Sequence, residues 1–530
     1  MKTKLLVALT AVMLLSFPVT GYSQAPVLGT TANFALFSSN GAVSNNGLSH
    51  LTGNVGTNNG SSTAFGNVNG VMHDHDGASL IAAADLLIAY NQLKAAKPTY
   101  FPAPLLGNGK IFTAGIYSIS ESATLNGTLT LNAENNANAV FIIQVDGAFS
   151  SSANAKVVLT NSAQACNVYW KIEGLVSLAS LTEMKGTIIA NNAAIVLGAG
   201  VVLEGRALST TGAVTINGVT VYTPTGCGSK LLTGPLAPAL ASTECYTVFS
   251  GNGEVTNKGV SRIVGDVGTN VGLTTGFDKL NITGTIHPKP DTSTAQCAAD
   301  LKTVYGYLNL LPVDIELLKP AEFGNDLVLT PHTYLLNAGT VLTGIVTLDA
   351  QDNANAVFVI KIKGALSTGT YAKVVLLNGA QLKNVYWIVD GAVEINDYAQ
   401  FKGTIVCNNG ALNLKTGVIL DGRALTTNGA VTTNAIIATM PVGCNATAGL
   451  ENAVKTTATF YPNPFTNTIT LANVQGNSEL NIYNMLGTIV LTKTIADANT
   501  TLNVNFASGM YFYNLISENG NVQTGKLLCK

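Results

Sequence analysis

The sequence predicts a mainly β fold: two three-faced β-solenoids, each flanked by one long α-helix, and a small β-sandwich at the C-terminal end. Three observations carry this expectation. The chain repeats itself at a nearly constant offset, short strands recur in threes within each repeat, and the composition suits stacked strands. Of 530 residues, 53 are Gly, 47% are apolar and only 7% are aromatic. Charged residues make up 11%, less than half the roughly 25% of an ordinary soluble domain. With 27 basic and 29 acidic side chains, the net charge of −2 leaves no electrostatic footprint for nucleic acid or an anionic membrane. The apolar content excludes a disordered chain, which needs low hydrophobicity or high net charge.

The N-terminal end has the order of a secretory signal peptide, assigned to 1–23. Lys2 and Lys4 precede an apolar run over 5–19 broken only by Thr10, Ser16 and Pro18, and small polar residues (TGYSQA) follow. The run is shorter than the about 20 residues of a membrane anchor, and no later stretch approaches that length, so no transmembrane segment is expected.

Next comes the duplication. FSSNG (37–41) and NVGTN (54–58) recur, with one offset for both, as FSGNG (249–253) and DVGTN (266–270). NAVF (138–141), NVYW (167–170) and GRAL (205–208) recur at 355–358, 384–387 and 422–425, again with a single common offset. The only two tryptophans are thus one position seen twice, and no insertion interrupts the second half of either copy. The boundaries are 24–226 for the first domain, 227–241 for a linker containing GPLAPAL, 242–444 for the second domain, 445–457 for another linker and 458–530 for the last domain.

Each copy has one convincing helix, at 78–96 and roughly 294–311. Leu80, Ala83, Ala84, Leu87 and Tyr90 fall at helical spacing as its contact row, and Asp76 stands where a cap is needed. The remaining segments are short strands between Gly, Asn and Ser turns. In copy one the first set is VFIIQV (140–145), NVYWKI (167–172), KGTIIA (185–190) and EGRALS (204–209). The second is AFSS (148–151), LVSL (175–178), AIVL (194–197) and AVTI (213–216). The third includes KVVL (156–159), VVLE (201–204) and VTVY (219–222). The rungs of the second set open at 148, 175, 194 and 213, one wider step and then two equal ones, which with three strands per turn describes a triangular solenoid. The first set is apolar at both alternating positions, so it needs a cover on each side, and the helix supplies the outer one.

On the second face, alternation turns Ser150, Ser177, Val196 and Thr215 outward, with Ala148, Leu175, Ala194 and Ala213 beside them. That wall is uncharged and built of small or β-branched side chains. Rungs about 4.8 Å apart make a regular grid that can hold surface water in an ordered, ice-like layer. The matching positions of copy two are Ser367, Glu394, Asn413 and Thr432, with Ala430 alongside. Glu394 breaks the pattern, because a hydrated carboxylate disrupts ordered water; the first domain is therefore expected to be the better binder. The third face, with Lys156 and Lys373 outward, is the second choice.

Each copy resembles the ice-binding protein family built on the DUF3494 domain. The matching segments are LTGNVGTN, the His73-Asp74-His75-Asp76 lead into an Ala-rich helix, NANAVFIIQVDGAF, ACNVYWKI, MKGTIIANNAAIVLGAGVVLEGRAL and STTGAVTINGVTV. The resemblance implies a discontinuous three-faced solenoid, and adsorption to an ice crystal surface through one flat face. That role is carried onto the outward positions named above. Toward the end, YPNP (461–464), Met485-Leu486-Gly487, SGMYF (508–512) and the basic Lys530 resemble the type A sorting domain of the type IX secretion system of Bacteroidetes. This implies passage through that secretion machinery, and a product that is secreted or held at the outer surface, including on lipopolysaccharide.

No motif for catalysis, nucleotide or cofactor appears: HExxH, GxSxG, a Walker loop and Cys-x-x-Cys are all missing. His73 and His75 with Asp74 and Asp76 are read as hydrogen-bonding groups at the helix start rather than metal ligands, since copy two keeps only His287 and Asp291. Glu204 and Asp421 beside Arg206 and Arg423 are read as ion pairs at the solenoid edge. Seven cysteines cannot all pair within the chain. Cys166–Cys227 and Cys245–Cys444 are open pairings, and Cys407, in the place of Ala190, reads as a buried small hydrophobe. The alternative function is a cell-surface adhesin or structural module binding glycans or neighbouring cells; a carbohydrate-active enzyme is a third, disfavoured by the low charge.

Overall fold

A computed structural model describes residues 24–229, 231–441, 458–474, 477–485, 487–517 and 522–530. The signal peptide at 1–23, Cys444, the linker at 445–457 and Leu486 lie outside the described residues. The chain divides into two units, Met1–Gly443 and Cys444–Lys530.

The first unit holds both solenoids. Each coil passes from the second face to the third and then to the helix-covered face, every pairing being parallel. The stacking is the expected one: Phe149 pairs with Val176, Val176 with Ile195, and Ile195 with Val214. The strands Glu183–Ala190 and Val202–Ser209 each serve two faces, and the chain turns the corner at glycine. Gly186 has φ +101°, and a Cβ on Gly205 in the next rung would lie 1.9 Å from the Gly186 carbonyl oxygen. Gly403 and Gly422 repeat the arrangement. A glycine therefore recurs at the corner, in KGT of both copies, EGR of the first and DGR of the second, because rung spacing leaves no room for a side chain there.

The N-terminal strands do not begin the stack. Phe34–Ser38, Val43–Asn46 and His50–Thr52 pair with the last coil, Val202–Ser209, Val214–Asn217 and Thr220–Tyr222. The chain adds one further coil (Asn54–Thr57, Ser62–Thr63, Met72–Asp74) and runs back along the stack as helix α1, Gly77–Ala95. It restarts at the far end with Leu105–Gly107. A helix of this length spans about 28 Å, close to the depth of the stack it must traverse. Copy two follows the same course, with helix α2 at Thr292–Leu310.

Both helices start at a capping box. The Asp76 carboxylate accepts from the Ser79 N–H at 2.8 Å while Ser79 Oγ accepts from the Asp76 N–H; Asp291 and Thr294 do the same for α2. Their other ends are closed by a side chain from the covered sheet. Gln144 Nε2 donates to the Leu93 and Ala96 carbonyls, and Lys361 Nζ to those of Asn309 and Leu311. The expected contact row is corrected. Ala82, Leu86, Ala89, Tyr90 and Leu93 pack on Phe34, Phe37, Ile142 and Tyr169, whereas Leu80 is 62% and Leu87 53% exposed. Helix α1 is apolar almost all round, so periodicity alone does not choose its face. Steric fit does, because small Ala82 and Ala89 let it lie close over the aromatic rings.

Inside each triangle lies an apolar core containing Trp170 or Trp387, both fully buried. Each indole N–H donates at 2.9 Å to a backbone carbonyl, of Lys185 or Lys402. The two solenoids are joined by a polar contact between ends. Asn69, 3% exposed, donates to Thr330 Oγ1 and accepts from the Tyr334 hydroxyl at 2.7 Å; Asn67 bonds Lys319 and Glu322. The segment expected as a linker is laid along the second solenoid: Thr233 O accepts from the Val357 N–H, and Leu232 O from Asn353. Cys166 and Cys227 form a disulfide, and Cys245 is also disulfide-bonded. Cys297, Cys407 and Cys529 are free and buried.

The second unit is antiparallel. A three-stranded sheet (Thr459–Tyr461, Thr468–Ala472, Asn499–Asn503) and a four-stranded one (Ser478–Tyr483, Ile489–Ile495, Gly509–Ser517, Val522–Cys529) share one core of Ile469, Leu471, Leu480, Ile482 and Leu515. Among the described residues, no helix is long and apolar enough to cross a membrane.

Candidate functional site

The second face of copy one is an eight-rung wall. Its central outward row reads Leu105, Thr124, Ser150, Ser177, Val196, Thr215, Ser44 and Thr63, each side chain paired in register with the next. At about 4.8 Å per rung the row is roughly 34 Å long. A second row follows from the backbone ladder: Ser122, Ala148, Leu175, Ala194, Ala213, Ala42 and Ser61. Neither row holds a charged side chain. Beneath them Ala123, Phe149, Val176, Ile195, Val214 and Val43 are all 1% exposed or less, so the wall stands on a packed, rigid floor. Hydroxyls run along the row, Thr124 bonding Ser150 at 3.1 Å and Ser44 donating to Thr215 at 3.3 Å. Two leucines, each 46% exposed, stand out of the wall: Leu105 at the end of the central row and Leu175 inside a row otherwise of Ser and Ala.

The structure thus brings together Ala148, Ser150, Ser177, Ala194, Val196, Ala213 and Thr215, and adds members that sequence reasoning missed. Thr124 was within reach, one rung step before Ser150. Ser44 and Thr63 were not, because nothing local in the chain says that its N-terminal strands close the far end of the stack.

In copy two the corresponding row reads Val341, Ser367, Glu394, Asn413, Thr432, Thr256 and Thr275. The row beside it contains Ala365, Ala392, Ala411, Ala430, Glu254 and Leu273. This wall is flatter at its centre, with four alanines in succession, but carries two carboxylates. Glu394 faces Lys415 at 3.5 Å, both half-exposed. The inner rungs of copy one carry a steric defect and those of copy two an ionic one, the bulky Leu273, 54% exposed, standing at the end of the second wall.

The third face is charged in both copies. Lys156 pairs with Glu183 at 2.6 Å and Lys185 with Glu204 at 2.7 Å. Burial works to lower the Lys185 ammonium, but the Glu204 carboxylate outweighs it and holds the pKa above its ordinary value. At one end this face meets the second solenoid, where His50–Thr52 lies beside Leu327–Leu329. The expected pairing of Glu204 and Asp421 with Arg206 and Arg423 is corrected: their partners are Lys185 and Lys402. The arginines follow the corner glycine and point the other way. They are buried, with Arg206 donating to the Ala32 carbonyl and Thr187, and Arg423 to Glu244 O. Burial lowers the Arg206 guanidinium to about 10, so it stays protonated at neutral pH.

His73 Nδ1 lies 2.6 Å from Asp76 and His287 Nδ1 2.6 Å from Asp291, so both histidines hold the capping carboxylate. His75 contacts the Gly60 carbonyl. Among the described residues no cluster of three or more His, Cys, Asp or Glu side chains could hold a metal.

Comparison with known proteins identifies the families to which these segments are similar. Residues 37–222 and 249–439 match the ice-binding-like family, and 459–530 match the secretion system C-terminal sorting domain, which makes this a secreted or cell-surface protein. The crystal structure of an ice binding protein from an Antarctic bacterium of the Flavobacteriaceae is similar at 64% identity and a TM-score of 0.79, over 79% of this chain and 100% of that one. An ice-binding protein of Nostoc sp. is 36% identical over 195 residues, covering 36% of this chain and 71% of its own length. Ice-binding protein 1 of Shewanella frigidimarina is 29% identical over 250 residues, 42% of this chain and 28% of that protein. With both solenoids matched from end to end, the chain belongs to the ice-binding-like family.

Proposed function

We propose that the protein adsorbs to ice through the second face of its solenoids and acts without catalysis. The residues are Ala148, Ser150, Ser177, Ala194, Val196, Ala213 and Thr215 in the first wall, and Ser367, Asn413, Ala430 and Thr432 in the second. The observation that carries the reading is the uncharged eight-rung row of copy one on its rigid floor. Ice is an uncharged, repetitive ligand, so affinity comes from many weak contacts in register on a platform already ordered. The methyl groups of Thr, Val and Ala keep the adjoining water layer ordered, and the hydroxyls anchor it. The third face lacks these properties, since its ion pairs hold strongly hydrated groups against the water.

The sorting domain hands the chain to the type IX secretion machinery, and the solenoids then work outside the cell, free or attached to surface lipopolysaccharide. The test is inhibition of ice recrystallisation by the full chain, with growth and shaping of a single crystal read alongside. Crystals that coarsen and grow as in buffer would refute the reading, and adhesion to a glycan array with no effect on ice would favour the adhesin.

A further inference from the structure

The helix that covers copy one has an apolar outer ridge that none of the described residues of its unit covers. Leu80 is 62% exposed, Ile81 53%, Leu87 53% and Ile88 51%, with exposed Ala84 at the centre. Val27, 63% exposed, adds to its flank, since its N–H donates to Gln92 on the same helix. The fold does not require this ridge. The equivalent positions of α2 are Ala295, Gln296, Lys302 and Thr303, on a solenoid of the same architecture.

We infer that this ridge is the interface of an isologous dimer, in which helix α1 of one chain packs antiparallel on α1 of a second copy across Ala84. Two observations choose this occupant. The ridge is symmetric about Ala84, with a Leu-Ile pair one turn before it and another one turn after. A two-fold axis at that residue sets Leu80 and Ile81 of one chain against Ile88 and Leu87 of the other, and the small alanine lets the backbones approach. The ends are also complementary. The N-terminal end carries Asp76, 43% exposed at its side chain, and the C-terminal end carries exposed Lys94 and Lys97. Antiparallel packing brings each basic end to the other chain's acidic end and opposes the helix dipoles, whereas parallel packing brings like charges together. The pairing uses the helix side of the triangle, so the second face stays free on both chains.

Sedimentation of the full chain tests this. The expected result is a shift from one chain's mass to twice that mass as concentration rises. Ile81→Gln with Leu87→Lys, which installs the residues of copy two, is expected to leave a monomer with an unchanged melting temperature. Ala84→Cys is expected to cross-link with itself under mild oxidation, while Asn91→Cys, placed by the two-fold opposite Gly77, is not. A monomer at every concentration would overturn the inference, as would a dimer that survives the double substitution or Ala84→Cys chains that fail to link. Flotation of the monomer on phosphatidylcholine vesicles, lost in the double variant, would give the ridge to a lipid surface and overturn it equally.

Discussion

Thr215 is the sixth of eight rungs in the first wall, well inside both ends of the row, and Thr432 is its counterpart in the second. Replacing both with Tyr in the full chain raises a ring roughly 3–4 Å above the plane of the Ser and Thr oxygens. A gap of about 0.5–1 Å already forfeits a quarter to a half of a dispersion contact, so a crystal propped this far loses contact with nearly every rung it spans. Because adsorption sums many weak registered contacts, the loss is not proportional to one rung in eight. The concentration needed to stop recrystallisation should rise at least about tenfold. The fold should not notice. Both side chains stand on the outward row and are partly exposed, with Thr215 accepting only a long bond from Ser44, so each change falls within about 0.5 kcal/mol, and the melting temperature should stay within about 2 °C. Recrystallisation inhibition equal to the parent at an unchanged melting temperature would show that the second face is not the docking surface.

The defects in the walls make a complementary pair. Leu175→Ala should flatten the first wall and improve its inhibition, and Glu254→Ala with Glu394→Ala should do so for the second; in both cases the readout is the lowest inhibiting concentration, and no gain would show that these side chains do not limit docking. Asn69→Ala removes the buried group between Thr330 and Tyr334. At about 1–3 kcal/mol for a broken buried contact, a single calorimetric transition for the two solenoids should split or broaden. Stability should also fall in acid. Burial raises the Asp76 and Asp291 carboxyls, but bonds from Ser79, Thr294, His73 and His287 outweigh it and hold both below the ordinary 3.8. A carboxyl depressed by folding adds stability that is whole above about pH 5 and drains as pH falls through its folded value. Melting curves from pH 6 to pH 2 should show that decline reduced in Asp76→Ala with Asp291→Ala, which should also lose about 1 kcal/mol per cap at neutral pH.

Much of this was legible because a solenoid writes its spacing into the chain. The rung openings at 148, 175, 194 and 213 determined which strands stack. The alternation within AFSS, LVSL, AIVL and AVTI determined which side chains face out, since a strand buried on one side has one acceptable register. Asp76 was legible as a cap because only a side-chain acceptor in that place satisfies the free N–H groups of the helix. What was hidden is what distance along the chain does not encode. The pairing of Phe34–Ser38 with Val202–Ser209 joins the two ends of the domain, and no local pattern marks it. The side of α1 that packs was hidden by its apolar surplus, and the partner of Glu204 by the corner at Gly205, which sends Glu204 and Arg206 to different faces.

The internal duplication separates what the fold needs from what it leaves free. Trp170 and Trp387, Arg206 and Arg423, and the corner glycines are the same in both copies, each being buried or pressed against backbone. On the walls Ser150 and Ser367, Thr215 and Thr432, and the alanine pairs Ala148 and Ala365, Ala194 and Ala411, Ala213 and Ala430 still match, but Ser177 stands against Glu394, Val196 against Asn413 and Leu175 against Ala392. Outward positions carry no packing constraint, so these differences reflect what each wall meets rather than what each solenoid requires. Two walls on one chain, held by the Asn69–Tyr334 contact, can engage a crystal together or separately, and the single variants distinguish the cases. If both walls dock on one crystal, Thr215→Tyr alone and Thr432→Tyr alone should each cost more than half the activity, because the second contact is made at the high effective concentration set by the first. If the walls act independently, the two losses should add up to that of the double variant. A silent single variant would mean that its wall takes no part.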